Sequence, residues 1–225
     1  MARIVKTEKE KKKNKIKALI ISLIVMILVV GGGFVLWKFV FNAEDKTMQE
    51  ITEIDKLENY GYVLMDTDTK YFKSEFASLK EIVKSDNVDL KSYSEQVAKM
   101  FVIDLYTINT KVNKYDIGGA EYYHVDKKSM FEQKVMDTLY ASLLDNTYGD
   151  RKQQLPEVSE VEVVSTKEGT FTLNDKKVDS YEIVLKISYV KDLGYDKKVS
   201  VVVVQENDSN RWSVVESKPV TIEKK

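Results

Sequence analysis

The 225-residue chain contains no cysteine. That absence excludes disulfides, thiolate metal ligands, a thiol nucleophile and an anchor built on a lipidated cysteine. An exported domain without cysteine must be stable through its core alone. Histidine occurs once, at His124. A usual zinc site needs several nitrogen or sulfur ligands, so this chain cannot build one from histidine and cysteine. As a general base, His124 would need an orienting partner, and the sequence identifies none. No Ser-His-Asp set, phosphate-binding loop or dinucleotide fingerprint is present. There is no internal repeat. We therefore expect no metal site, no cofactor and no enzymatic activity.

What the chain has is an uneven charge distribution. Its formal net charge is only −1. Residues 1–17 carry eight basic groups (Arg3, Lys6, Lys9, Lys11, Lys12, Lys13, Lys15 and Lys17) against Glu8 and Glu10, a net of +6. Lys38 raises this to +7, which leaves −8 on residues 39–225. The two parts are expected to meet different partners. A net −8 repels phosphate, so nucleic acid is not an expected partner of the second part.

Residues 18–37 form a run of twenty without a charge. As a helix, twenty residues cover about 30 Å, the hydrocarbon thickness of a bilayer. Thirteen of them are Leu, Ile, Val or Phe, contributing about −4 to −8 kcal/mol toward insertion as an upper bound. A cleaved signal peptide would have a shorter apolar region, followed by a small-residue cleavage site. This run ends instead in Phe34, Trp37, Phe39 and Phe41. Trp37 and Lys38 stand where an aromatic belt and a snorkelling lysine anchor a helix at the interface.

The expected topology is a cytoplasmic tail over 1–17 and a transmembrane helix over 18–41. Its orientation is set by Arg3, Lys6, Lys11, Lys12, Lys13, Lys15 and Lys17. A stalk or helical linker over 42–69 and an extracellular domain over 70–225 follow. The lipid bilayer is one expected partner, and anionic headgroups are an additional one for the lysines. Gly31-Gly32-Gly33 either lets a second helix pack closely or is a flexible spot with no partner.

Beyond the span, Met48, Ile51, Ile54 and Leu57 recur every three residues, and this spacing predicts a helical stalk over 42–57. Asp66-Thr67-Asp68-Thr69 supplies a cap, and Phe72, Phe76, Leu79 and Val83 predict a helix over 70–84. Asp89 caps a second helix running to about Val112, apolar over much of its circumference and so central. Tyr115-Asp116-Ile117-Gly118-Gly119 is a turn. A third helix carries Ser129 and Glu132 at capping-box spacing and buries Phe131, Val135, Leu139 and Leu143. After Leu155-Pro156 the period becomes two. Val161 and Val163 begin a strand, Glu168-Gly169 and Asn174-Asp175 read as turns, and Tyr181 to Tyr189 alternate along a long strand. Val199–Val204 and a segment from Trp212 complete an antiparallel meander. The fold class is α+β: three or so helices on a curved, cone-like antiparallel sheet of four to five strands.

This order resembles the nuclear transport factor 2-like superfamily, in which a cone of helices is closed by a curved sheet. The nearest residue-level echo is the aromatic-rich central helix, Tyr93 through Phe101-Val102-Ile103-Asp104-Leu105-Tyr106. Together with a lysine-rich tail and one span, the layout looks like the bitopic assembly factor of type IV secretion and conjugation machines. The resemblance implies a scaffold without catalysis that self-associates and meets other membrane or envelope proteins.

Asp104 is the candidate pocket acid. In a cone-shaped fold an inward acid can become a base with a raised pKa. The alternative is a carboxylate bonded to a tyrosine or a backbone group, or one facing water. Asp66 and Asp68 suit either a divalent cation or a helix cap. Asp145, Asn146, Gly149 and Asp150 fail the calcium-loop spacing. Asp116 with Gly118-Gly119 falls short of a phosphate loop.

Overall fold

The computed structural model describes residues 22, 25–27, 31, 48, 50–206 and 210–220. The chain divides into two compact units, Met1–Thr47 and Met48–Lys225. In the first, Ser22, Val25, Met26, Ile27 and Gly31 are helical and exposed. The rest of the expected span, with Trp37, Lys38 and the basic residues of the tail, lies outside the described residues. Among the described residues no helix is long and apolar enough to cross a membrane.

The second unit is α+β. It opens with a hairpin, β1 (Glu53–Leu57) and β2 (Tyr62–Met65), paired antiparallel from Glu53↔Met65 to Leu57↔Tyr62. The helical stalk expected to run through Leu57 is therefore corrected at its C-terminal end. The reason lies in residues 58–61. Tyr60 N–H and Gly61 N–H both bond back to the Leu57 carbonyl, and Gly61 takes φ +69. This turn reverses the chain, so the period of two in Tyr62, Val63 and Leu64 prevails over the period of three before it. Leu57, Tyr62 and Leu64 are buried in the main core.

Helix α1 (Lys70–Lys84) has the expected bounds. Thr69 is its N-cap, accepting from Phe72 N–H at 3.1 Å, and Phe72, Phe76, Leu79 and Val83 form the buried face. Helix α2 (Leu90–Tyr106) is capped by Asp89, which accepts from Lys91 N–H and the Ser92 hydroxyl. Eleven of its seventeen residues are buried. It packs on α1 and touches all four strands of the main sheet, which makes it the centre of the unit.

The expected extension of α2 to Val112 does not occur. Ile108 and Asn109 give their N–H groups to the Pro156 carbonyl, so the ladder cannot continue, and a 3-10 turn follows at Ile108–Thr110. Helix α3 (Val125–Asp137) begins at His124, whose Nδ1 accepts from Asp126 N–H at 3.2 Å. Ser129 lies inside this helix, so the expected capping box at Ser129 and Glu132 is not formed.

The main sheet contains β3 (Val158–Leu173), β4 (Lys176–Tyr189), β5 (Lys198–Gln205) and β6 (Trp212–Pro219) in sequential antiparallel order. The turn expected at Glu168-Gly169 is absent: these residues pair with Tyr181 and Ser180 in mid-strand. The reversal comes at Asn174-Asp175, with φ 49 and 62, as a two-residue hairpin requires. Ile183, Leu185, Ile187, Val199, Val201, Val203, Trp212 and Val214 face the helices and join the main core. At about 1.5–3 kcal/mol for each large side chain fully buried, this shared layer is the main favourable term. On the opposite face Leu173, Val178, Val204 and Val215 form a smaller cluster with Phe171 and Val202.

Candidate functional site

Asp104 lies in the last turn of α2, where the helix is buried against the sheet and must still accommodate a carboxylate. Lys111, carried back by the 3-10 turn, pairs with Asp104 Oδ1. The other oxygen, Oδ2, accepts from Gly119 N–H at 2.6 Å. The side chains of the pair are 10% (Lys111) and 16% (Asp104) exposed, so each charge depends on the other. Gly118 makes the approach possible. A Cβ there would collide with the Asp104 carbonyl oxygen and stand 2.7 Å from its carbon. Gly119, at φ +78, lies against the Phe101 ring. Behind the glycines, Tyr140 donates to the Leu105 carbonyl at 2.9 Å and accepts from Gly118 N–H at 3.3 Å.

Three more carboxyls surround this pair. Asp116 accepts from Val112 N–H at 2.9 Å. Asp68 accepts from Met65 N–H at 2.7 Å, and Glu121 from Val63 N–H at a long 3.5 Å. Burial raises the Asp68 carboxyl to about 6, and the Asp104 charge adds to the rise while the Met65 N–H opposes it. Burial likewise raises Glu121 to about 7, with Asp104 and Asp68 adding repulsion. Burial alone would lower the Lys111 ammonium, but Asp104, Tyr140 and Asp116 outweigh it and hold Lys111 above its ordinary value. Tyr122, fully buried beside Glu121, is pushed well up, by burial first.

An aromatic column adjoins the carboxyls. Tyr62 stacks on Tyr122 at 5.0 Å, donates to the Trp212 carbonyl at 2.7 Å and meets the Tyr93 hydroxyl at 3.1 Å. The Arg211 guanidinium lies 4.9 Å from the Tyr62 ring centroid and donates to the Tyr60 and Glu121 carbonyls.

The chemistry open to this arrangement follows from its pairing. Both oxygens of Asp104 are engaged, one by an ammonium and one by a backbone N–H, and this matches the bonded-carboxylate alternative for that residue. A cavity of about 400 Å³ is lined by Asp68, Asp116, Lys111, Thr67 and Thr110 with Ile51, Met65 and Val112; Asp104 is not on its wall. Asp66 and Asp68 do not converge on a common point: Asp66 accepts from Thr52 N–H, while Asp68 bonds Met65 N–H. Neither caps α1, a role that Thr69 fills. Among the described residues no group of three or more His, Asp and Glu side chains is placed to hold a metal ion. Asp145 and Asn146 brace their own loop through Thr147 N–H and Arg151 N–H.

Sequence reasoning missed Lys111, Glu121, Tyr62 and Tyr140 as members of this cluster. Lys111 fell within the expected helix, where its return toward Asp104 is invisible. One local signal was available: adjacent glycines after an aspartate mark a backbone that must approach something closely. No protein-family profile, no curated protein and no solved structure matches the chain.

Proposed function

We propose that this chain is a single-pass membrane protein. Its lysine-rich tail lies in the cytoplasm, and its α+β unit is an extracellular scaffold within a conjugation or secretion assembly. The observation that carries the reading is the uncharged twenty-residue run behind a tail of net charge +6. Insertion is favourable, and the lysines stay on the side where they are made. The filled interior of the second unit favours an interaction role over a ligand pocket. Tyr62, Tyr93, Tyr122, Phe101 and Trp212 occupy the space between helices and sheet at 1% exposure or less. The ion pair beside them, Asp104 with Lys111, is committed to structure. Function then falls to the surface, as it does in a protein that holds others in place.

The absence of native cysteine makes the test clean. Ala77→Cys, on an exposed position of α1, should react with a membrane-impermeant maleimide in intact cells. Lys9→Cys should react only after permeabilisation. Crosslinking in cells should then yield higher species containing this chain or envelope proteins. Equal labelling of both positions overturns the topology. A monomer with no co-purifying membrane partner overturns the scaffold role.

A second reading, an extracellular ligand-binding domain, draws on a groove of about 430 Å³ between α3 and β6, lined by Leu105, Tyr123, Met130, Phe131 and Val215. Protection of Met130 from oxidation by a bound apolar solute would support it.

A further inference from the structure

Strand β2 pairs with β1 on one side only. Along its other edge Val63 and Met65 give their N–H groups to side chains, not to a strand. The acceptors are the carboxyls of Glu121 and Asp68, which approach from different segments: Asp68 from the turn before α1, Glu121 from the 3-10 turn Ala120–Tyr122. An open strand edge is ordinarily covered or blunted. Here it is covered by two acids. We propose that Asp68 and Glu121 form a proton-sensitive clasp on the β1–β2 hairpin, closed when they carry protons and loosened when both are ionised.

Burial sets the direction first and the surrounding charges add to it, against the two N–H bonds, which favour the ionised acids. Asp104 faces both acids from α2, and Lys111 and Asp116 come from the segment after it. Lys73 reaches Asp68 from α1, bonding the Asp66 carbonyl nearby. The buried Tyr122 hydroxyl beside Glu121 favours its ionised form, against the burial, and Tyr62 contributes a neutral ring. Arg211, from the β5–β6 connection, lies 3.5 Å from the Glu206 carboxylate and donates to the backbone carbonyl of Glu121. Asp68, Asp104 and Asp116 thus lie around one well-buried ammonium, itself committed to Asp104, and Glu121 faces Asp104 and Asp68. Ionising Asp68 and Glu121 adds two like charges to a half-buried site, and moving the hairpin edge outward hydrates them. The elevated ranges of the two acids, about 6 and about 7, place the change between mildly acidic and mildly alkaline conditions. The hairpin is also the first element of the second unit in chain order. This inference does not rest on the scaffold reading and survives its failure.

Hydrogen exchange of the full chain in detergent tests it. After correction for intrinsic exchange, Val63 and Met65 amides should be less protected than those of Ile183 and Val201, reporting an opening short of unfolding. Their protection should fall by about tenfold from pH 5.5 to pH 8. Complete hydration of both acids on opening would set a ceiling of about a hundredfold. In Asp68→Asn with Glu121→Gln the fall should vanish. If that pair of changes prevents folding, Glu121→Gln alone should remove the larger part of it. Protection at Val63 and Met65 equal to that of the sheet, no fall with pH, or a fall that persists in the variants each overturns the clasp.

Discussion

Replacing Gly118 by alanine tests how the buried ion pair is built. The added methyl has no rotamer to escape into, because its first obstacle is backbone: the carbonyl of Asp104, with the carbonyl carbon at 2.7 Å and Lys111 Cε at 2.9 Å. The Tyr115–Gly119 turn must therefore move off α2. Overpacking of this kind costs about 1–3 kcal/mol. The movement also stretches the bond from Gly119 N–H to Asp104 Oδ2, and a hydrogen bond to a charged group contributes about 1.5–3 kcal/mol. Gly118→Ala should therefore destabilise by about 3–5 kcal/mol, a large share of the stability of an ordinary domain. With a urea slope of about 2 kcal/mol/M, the midpoint should drop by about 1.5–2.5 M. Gly169→Ala supplies the contrast. It sits in mid-strand, where the nearest atom to a new Cβ is Ser180 Oγ at 3.8 Å. That change should be neutral or stabilising by a few tenths of a kcal/mol, since glycine weakens a strand. A Gly118→Ala loss under 1 kcal/mol, or equal losses at the two positions, would refute the close-approach reasoning.

Lys111→Met should cost about 3–5 kcal/mol, because Asp104 is left buried and unpaired; adding Asp104→Asn should recover more than half of it, read from the same urea midpoints. Stability should fall as pH rises from about 4.5 to about 7.5. Asp68 and Glu121 have folded pKa values raised above their unfolded ones, so the folded state holds more protons and loses that advantage as pH climbs through about 6 and 7. At about 1.4 kcal/mol per pH unit of displacement, the two together contribute about 3 kcal/mol after allowance for partial exposure. Below pH 4 the trend should reverse, as Asp55, Asp89, Asp145 and Asp192, all held below their ordinary value by hydrogen bonds, take up protons. A flat urea midpoint between pH 4.5 and 7.5 would contradict this. A chain beginning at Lys70 should fail to fold cooperatively, since it lacks Leu57, Tyr62 and Leu64, whereas one beginning at Met48 should give a single unfolding transition by circular dichroism.

Elements whose cause is local were readable from the residues alone. Thr69 before the stripe of Phe72, Phe76, Leu79 and Val83 defines α1, because capping and 3.6-residue spacing act within one helix. Asp89 starts α2 for the same reason. Asn174-Asp175 marks the hairpin, since both residues tolerate a left-handed backbone. Failures came where a distant group decides. The end of α2 depends on the Pro156 carbonyl, nearly fifty residues away, and no pattern near Ile108 announces it. The start of α3 depends on a histidine, an unusual cap, while Ser129 and Glu132 carried the conventional signal. Glu168-Gly169 looked like a turn because glycine usually interrupts a strand; here cross-strand pairing with β4 prevails. In the site, Asp104 was visible as an acid in an apolar helix, but its partners come from 111 and 119, with Tyr140 behind them, joined only by the fold.

The position of Asp104 connects several of these features. A carboxylate near the end of the most buried helix is tolerable only with a cation and a donor close by. Lys111 reaches it because the helix stops at Tyr106 and the chain doubles back. Gly119 reaches it because Gly118 has no side chain. Tyr140 then fills the space behind the turn, at 0% exposure, bonding both Leu105 and Gly118. The helix end, the glycine pair and the buried tyrosine are thus three consequences of one charged residue, and together they brace residues 104–122 as a strut. Glu121 projects from the far end of that strut to the edge of β2. The burial and repulsion that lift Glu121 therefore link the buried ion pair to the hairpin, whose first strand is mostly exposed. A proton gained or lost there acts first on the edge of β2 that the two acids cover.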